Sequence, residues 1–168
     1  MKTNTYIVDR ALHWSAALML LFMLLNLSSL LHNIDWDIKG QITHRQEAVE
    51  IHALVGILLL VVTFVRIVMP FVSKEKIPRI KPTSTAHKVF IQATHIALYS
   101  CITLLVLTGI IMINNYEIPI HIFGFVVGDN KEAFYDFFPK VHAIHILLKD
   151  SIWWLIAIHF VGIMYAKK

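Results

Sequence analysis

The chain has 168 residues, of which 57% are hydrophobic and 15% charged, with a mean hydropathy of +0.66. Soluble domains carry about 25% charged residues, so this composition excludes a soluble enzyme as the default interpretation. The single cysteine, Cys101, excludes a disulfide framework, an iron–sulfur cluster and the covalent attachment of a c-type haem.

Four long apolar segments organise the chain. They cover about residues 11–31, 51–72, 89–113 and 142–165, and each is long enough to cross a bilayer, which takes about 20 residues of helix. Because a lipid-exposed backbone must satisfy its own hydrogen bonds, each segment is predicted to be an α-helix. The sequence therefore predicts an all-α, transmembrane four-helix bundle in a single domain over residues 1–168. The first segment is too long for a secretory signal and lacks a small-residue cleavage site, so it is expected to be retained.

The connection between the third and fourth helices, about residues 114–139, is the long one. It contains an apolar stretch at residues 118–127 that is too short to span a membrane. Aromatic side chains follow at Phe134, Tyr135, Phe137 and Phe138. We expect this external loop to lie at the membrane interface as a cover over the bundle.

The charged residues predict the orientation of the bundle. Ten basic and two acidic residues lie on the side of the two termini, and five basic and nine acidic residues lie on the other side. Basic loops remain in the cytoplasm, so both termini are predicted to be cytoplasmic. The net charge of +4 therefore reflects topology, and no nucleic-acid partner is expected.

Ten histidines are unusual in so apolar a chain. His13 and His159, on the first and fourth helices, lie near the cytoplasmic side. His52 and His145, on the second and fourth helices, lie near the outer side. His95 lies in the cytoplasmic half of the third helix. The fourth helix thus carries a histidine at each of two depths, and at each depth another helix supplies a partner.

The spacing on the fourth helix favours a paired arrangement. His145 and His159 are 14 residues apart, which places them within about 40° of one helix face and about 21 Å apart along the axis. Two histidines on one face, each opposed by another helix, can hold two flat macrocycles stacked across the membrane. Paired neutral imidazoles are a common axial arrangement for electron-transfer haem. His142, by contrast, is turned about 100° away from His159.

Two further residues fit such sites. Gly56 lies one turn after His52 on the same face, where the absence of a side chain would let a porphyrin lie close. Arg66 lies 14 residues after His52, so it shares that face at the cytoplasmic level and can pair with a carboxylate of the inner macrocycle. Arg66 can equally act as a positive-inside anchor.

Simpler interpretations of the histidines stay open at this point. Any one of those within the spans can serve in helix–helix hydrogen bonding alone. A bound Zn²⁺ or Cu²⁺ would need three or four ligands at one depth, whereas the sequence places two at each. The histidines expected to be surface residues are His32, His44, His87 and His121.

Short motifs are distributed along all four helices and the long loop. They are His13-Trp14, His52, Gly56, Arg66, His95, Leu98-Tyr99, Thr108-Gly109, Phe123-Gly124, His145 and His159. In this order and at these spacings the chain resembles the bacterial cytochrome b561 family of small four-helix dihaem membrane proteins. The resemblance covers nearly the whole chain and implies a multi-pass protein of the bacterial inner membrane, in contact with lipid.

The resemblance implies two b-type haems. His13 and His159 would ligate the iron of the cytoplasmic-side haem, as the depth argument also indicates. His52 and His145 would ligate the iron of the outer haem. Electrons would pass between the periplasmic face and the membrane quinone pool, with ubiquinone as acceptor or donor. Some family members are assigned superoxide:quinone oxidoreductase activity, so superoxide or a periplasmic redox partner is an expected partner.

The chain also departs from the family pattern. Members often have proline three residues before the third-helix glycine, where this chain has Val106. Some relatives have further histidines after the last ligand, near a proposed inner quinone site, and residues 162–168 contain none. His95 is then the remaining polar group near the inner haem, as a partner of a haem carboxylate or as a quinone contact. Lys149 and Asp150 are expected to border the outer haem.

The sequence leaves three functions open. The first is a quinone-linked oxidoreductase, with superoxide as one candidate donor. The second is a non-catalytic haem-binding membrane anchor, an electron-transfer subunit that docks a dehydrogenase or another redox partner through the loop at about residues 114–139. The third is a haem-free helical protein, such as a metal-ion carrier, which would have no visible absorbance.

Overall fold

The computed structural model describes residues 4–27, 41–73, 82–128 and 130–166. Within these ranges, four helices are long and apolar enough to cross a membrane. In chain order they are α1 (Asn4–Phe22), which continues into a π-helical segment (Met23–Leu27), α2 (Gln41–Val72), α3 (Thr85–Asn114) and α4 (Lys131–Ala166). The predicted all-α transmembrane bundle is confirmed, with one short β-hairpin added to it.

All four helices begin before the apolar segments that predicted them, and the difference is largest for α2 and α4. α2 begins at Gln41 and α4 at Lys131. Hydropathy detects only the residues that lipid can cover, whereas polar helix-forming residues extend a helix beyond the apolar core of the membrane. Pro139, which the sequence suggests as the end of the loop, lies inside α4 instead. The predicted end of the first helix, at residue 31, lies outside the described residues.

The long connection between α3 and α4 contains an antiparallel hairpin. Its strands are β1 (Pro119–Ile122) and β2 (Phe125–Gly128). The two turn residues, Phe123 and Gly124, both have positive φ, at 50° and 84°. Positive φ at both central positions is the backbone of a type I′ turn, whose twist matches that of two paired strands. The predicted loop is therefore a hairpin followed by the first turns of α4.

The hairpin lies against the N-terminal end of α2. The backbone N–H of His121 donates to Glu50 Oε1 at 2.7 Å, and Gln46 Nε2 donates to the same oxygen at 3.2 Å. Ile120 on β1 is completely buried. A carboxylate that accepts from the backbone of a strand and from its own helix fixes the position of the hairpin.

A buried apolar layer, here called the midplane layer, lies in the middle of the bundle. Its members come from all four helices and are Ala16, Leu59, Cys101, Ile102 and Ile152. Leu59 lies seven residues after His52, and Ile152 lies seven residues from both His145 and His159. At 1.5 Å per residue, Leu59 and Ile152 are about 10 Å along their helices from these histidines. The midplane layer separates two polar regions of the bundle.

The prediction that His87 is a surface residue is wrong. The side chain is buried at the start of α3, with 5% of the residue exposed. Its Nδ1 accepts from the backbone N–H of Thr83 at 3.2 Å, and its Nε2 lies 3.2 Å from the carbonyl oxygen of Gly162 on α4. The partner on α4 is 75 residues away in sequence, so no local pattern indicates it. The other histidines predicted at the surface are His44 and His121, which are exposed, and His32, which lies outside the described residues.

Candidate haem-binding sites

The first histidine pair joins α1 to α4. The ring centroids of His13 and His159 are 6.4 Å apart, with an angle of 61° between the ring planes. The two side chains come from residues 146 positions apart in the chain. The two residues lie at the same level, as their positions along α1 and α4 predict, near the end of the bundle that holds the two termini.

The second pair joins α2 to α4 at the other end of the bundle. The ring centroids of His52 and His145 are 6.2 Å apart, again with an angle of 61° between the ring planes. Nδ1 of His52 is buried and has no hydrogen-bond partner among the described residues. Burying an unpaired polar nitrogen costs about 1–3 kcal/mol, a cost that a ligand bound to the His52 imidazole would offset.

Both separations fit a metal held between two imidazoles. An imidazole nitrogen binds a transition metal at about 2.0 Å and lies about 1.1 Å from its ring centroid, so two axial imidazoles on one metal have centroids about 6.2 Å apart. The values in the structure are 6.4 and 6.2 Å. The donor set, two neutral imidazoles on opposite sides, is one that haem iron accepts.

A large cavity adjoins the second pair. Its volume is about 1080 Å³, at the upper end of the range for cofactor and ligand sites. His52 and His145 both line it, together with Gly56 and Gly109 and a wall of leucine, isoleucine, valine and methionine side chains. A Cβ added at Gly56 would meet only the Met23 methyl, at 3.6 Å. The predicted bare wall beside His52 is therefore present, in a cavity large enough for a flat macrocycle.

Polar side chains line the outer part of this cavity. Arg45 Nε donates to the Tyr116 hydroxyl at 3.0 Å, and its guanidinium also pairs with Glu117. Burial raises the pKa of the Tyr116 phenol, while the hydrogen bond from Arg45 opposes that rise. Lys149, predicted to border this site, lines the cavity and pairs with the exposed Asp150 at 3.0 Å. The charges here are therefore arranged in ion pairs.

Three polar side chains surround the first pair. His95 lies edge-on to His159, with 5.1 Å between the ring centroids. The Arg66 guanidinium lies 6.0 Å from the ring centroid of Tyr99. Arg66 Nε is buried and has no hydrogen-bond partner among the described residues. The sequence prediction that Arg66 and His95 lie beside the inner pair agrees with this arrangement, and a carboxylate is the partner that Arg66 suits best.

Sequence reasoning missed two contacts of the outer site. Thr108 Oγ1 lies 2.8 Å from Nδ1 of His145. The only sequence signal was the Thr108-Gly109 dipeptide, which contributes to the family resemblance but carries no role by itself. The contact between Arg45 and Tyr116 joins residues 71 positions apart, and no local pattern indicates it.

Comparison with known proteins identifies the family of the chain. The family model described as prokaryotic cytochrome b561 matches residues 6–168, nearly the whole chain. A search of curated proteins finds no match. Members of this family bind haem b and transfer electrons in the membrane. The chain, with its four membrane-spanning helices and its two histidine pairs, belongs to the prokaryotic cytochrome b561 family and is a multi-pass bacterial membrane protein.

Proposed function

We propose that this chain binds two haems b, one at each histidine pair. His13 and His159 are the axial ligands of the cytoplasmic-side haem, and His52 and His145 are those of the outer haem. The proposal rests above all on the matched geometry of the two pairs, with centroids 6.4 and 6.2 Å apart. Two pairs at opposite ends of α4 suit two cofactors rather than one shared site.

The histidine pairs also suit one kind of chemistry. Bound haem b supplies a one-electron couple between ferric and ferrous iron. Two imidazoles on each haem iron would leave no open position for dioxygen or a substrate to bind. The apolar wall around His52 and His145 limits the access of water to the outer site. Sites with these properties favour electron transfer over the activation of a bound ligand.

Arg66 and Gly56 complete the two sites. The guanidinium of Arg66 is the cation beside the inner pair, and its unpartnered Nε would donate to a haem carboxylate. Gly56 leaves the outer cavity open on the α2 side, where a larger side chain would project into it. Each residue is needed by one site only, so each can be tested separately.

We place electron flow between the periplasmic face and the membrane quinone pool. The excess of basic residues on the side of the termini supports cytoplasmic termini, and hence an inner position for His13 and His159 in the inner membrane. Ubiquinone as electron acceptor or donor follows from the family resemblance. His95, 5.1 Å from His159, is the candidate polar contact for a quinone at the inner site.

Superoxide is a more specific candidate for the outer electron donor. Two superoxide ions would give two electrons to one quinone, which takes up two protons, and two molecules of dioxygen would be released. The local charge does not favour an anion, because Arg45 pairs with Glu117 and Lys149 pairs with Asp150. Quinone reduction by superoxide that is faster with the purified protein than without it would support this reaction. An unchanged rate would exclude it.

A second function is that of a non-catalytic haem-binding subunit. The observation that favours it is the hairpin, where Phe123, Phe125 and Val126 expose 64%, 74% and 61% of their surface. Apolar side chains at an external tip suit contact with a membrane surface or a redox partner. Co-purification of a dehydrogenase with the wild-type chain, lost when Phe125 is replaced by Ser, would favour this function over an independent oxidoreductase.

The number of haems bound per chain tests the proposal that each histidine pair binds one haem. The detergent-purified protein, expressed with adequate haem supply, is expected to give a reduced-minus-oxidised spectrum of b-type haem. Pyridine haemochrome quantitation should give close to two haems per chain. One haem per chain would show that one pair does not ligate, and the absence of haem would overturn the proposal while leaving the helical fold intact.

A further inference from the structure

Thr108 contacts one of the histidines of the outer pair. Its Oγ1 lies 2.8 Å from Nδ1 of His145, and it is also 2.8 Å from the carbonyl oxygen of Leu104 and 2.9 Å from that of Leu105. A hydroxyl has one proton and two lone pairs, whereas a carbonyl oxygen can only accept. The hydroxyl proton is therefore used by one of the α3 carbonyls.

The hydrogen-bond network then assigns the proton on His145. Because the Thr108 hydroxyl donates to a carbonyl, its lone pair accepts from Nδ1–H of the imidazole. In the neutral imidazole, Nε2 is left with its lone pair free. That nitrogen is the one available to bind a metal.

The other histidine of the pair lacks such a contact. Nδ1 of His52 is buried and has no hydrogen-bond partner among the described residues. The two imidazoles of the outer site therefore differ in whether Nδ1 donates a hydrogen bond, and this difference influences a metal bound to the ring. A ligating histidine whose second nitrogen donates a hydrogen bond is held in one orientation and is a more basic ligand.

We propose that Thr108 is a positioning residue for the outer haem, which fixes the tautomer and orientation of His145 and lowers the reduction potential of that haem. The inference rests on the proposed function, since it assumes that His145 is an axial ligand. A more basic imidazole stabilises ferric iron relative to ferrous iron, so loss of the hydrogen bond raises the potential. The effect is confined to the outer site, because the contact is to His145 alone.

The test is a redox titration of the purified, haem-loaded protein, followed by absorbance and combined with haem quantitation. The outer haem is identified as the component that disappears in H52A. T108V keeps the shape of the side chain but removes the hydroxyl. We expect its outer component to move to a more positive potential and its affinity for outer haem to fall about tenfold. The inner component should be unchanged.

Two variants separate the hydrogen bond from general effects of the substitution. T108S retains the hydroxyl and should restore the wild-type potential. T94V removes the hydroxyl of Thr94, a buried residue of α3 that donates to the Phe90 carbonyl at 2.9 Å, and should leave the outer component unchanged. Where T108V does not fold, T108A also removes the hydroxyl and adds no atoms.

The possible results distinguish the inference from the function on which it rests. Two haems with wild-type potentials in T108V and T108A would overturn the role of Thr108 and leave the dihaem proposal standing. A shift of both components, or the same shift in T94V, would also overturn it. A wild-type protein without haem would instead overturn the dihaem proposal itself.

Discussion

His87 Nε2 lies 3.2 Å from the carbonyl oxygen of Gly162, and this contact joins the first turn of α3 to the last turns of α4. Because Nδ1 of the same ring accepts from the backbone N–H of Thr83, the imidazole is neutral and Nε2 carries the proton that is donated. One side chain therefore satisfies a backbone amide before α3 and bridges two helices inside the protein.

Replacing His87 with Ala should destabilise the bundle. The substitution leaves the Gly162 carbonyl and the Thr83 amide without this partner, at an expected cost of about 1–3 kcal/mol. Thermal unfolding of the haem-loaded protein in detergent should show a lower Tm. The control is H44A, since His44 is exposed. Equal Tm values for H87A and H44A would show that the bridge contributes little.

H159A should remove one haem and leave the other. His159 faces His13, whereas the outer pair contains His52 and His145 and shares only a helix with the inner pair. Pyridine haemochrome analysis should fall from close to two haems per chain to close to one. H44A should keep both. Two haems in H159A would contradict the assignment of the inner ligands.

A large side chain at Gly56 should exclude the outer haem. Gly56 lines the outer cavity, and a Cβ there would meet only the Met23 methyl, at an ordinary contact distance of 3.6 Å. G56A is therefore expected to keep both haems, while G56F fills the space and keeps only the inner one. Haem quantitation together with the redox titration measures how many haems each variant binds and which one is lost. Full outer haem in G56F would mean that the macrocycle lies elsewhere.

Arg66 should influence only the inner haem. Its guanidinium lies 6.0 Å from the ring centroid of Tyr99, whose neighbour His95 contacts His159. A cation stabilises the reduced, less positive iron, so R66Q should lower the inner potential by roughly 50 mV, the scale expected for one charge about 10 Å away at intermediate dielectric. R66K keeps the charge and should shift the potential less. A shift in the reduction potential of the outer haem instead would show that Arg66 does not act on the inner haem.

Tyr116 should make stability depend on alkaline pH. Burial raises its pKa in the folded protein above the value of about 10 expected in the unfolded chain. The neutral phenol is thus favoured by folding. Its contribution to stability is complete below about pH 10 and is lost as the pH rises through the folded pKa. The Tm of wild type should therefore fall in this window more than that of Y116F, with exposed Tyr135 replaced in Y135F as the control.

The sequence predicted the features that have a local or periodic signal. Four apolar segments predicted the four helices, and the 14-residue step from His145 to His159 predicted two polar levels on one helix. The hairpin was missed because its strands have only four residues each and lie in an apolar stretch without clear alternation. The contacts of Arg45 and His87 join residues 71 or more positions apart, and only the packing of the helices determines them.

The distance between the two histidine levels has an electrical consequence. His145 and His159 are about 21 Å apart along α4, while the hydrocarbon core of a bilayer is about 30 Å thick. An electron that moves from one level to the other therefore crosses about two thirds of the transmembrane voltage, which is worth roughly 1.6 kcal/mol at 100 mV. The midplane layer between them consists of apolar side chains and the thiol of Cys101. With haem at both histidine levels, as proposed, electron transfer between them would be electrogenic, and an energised membrane would accelerate it in one direction and slow it in the other.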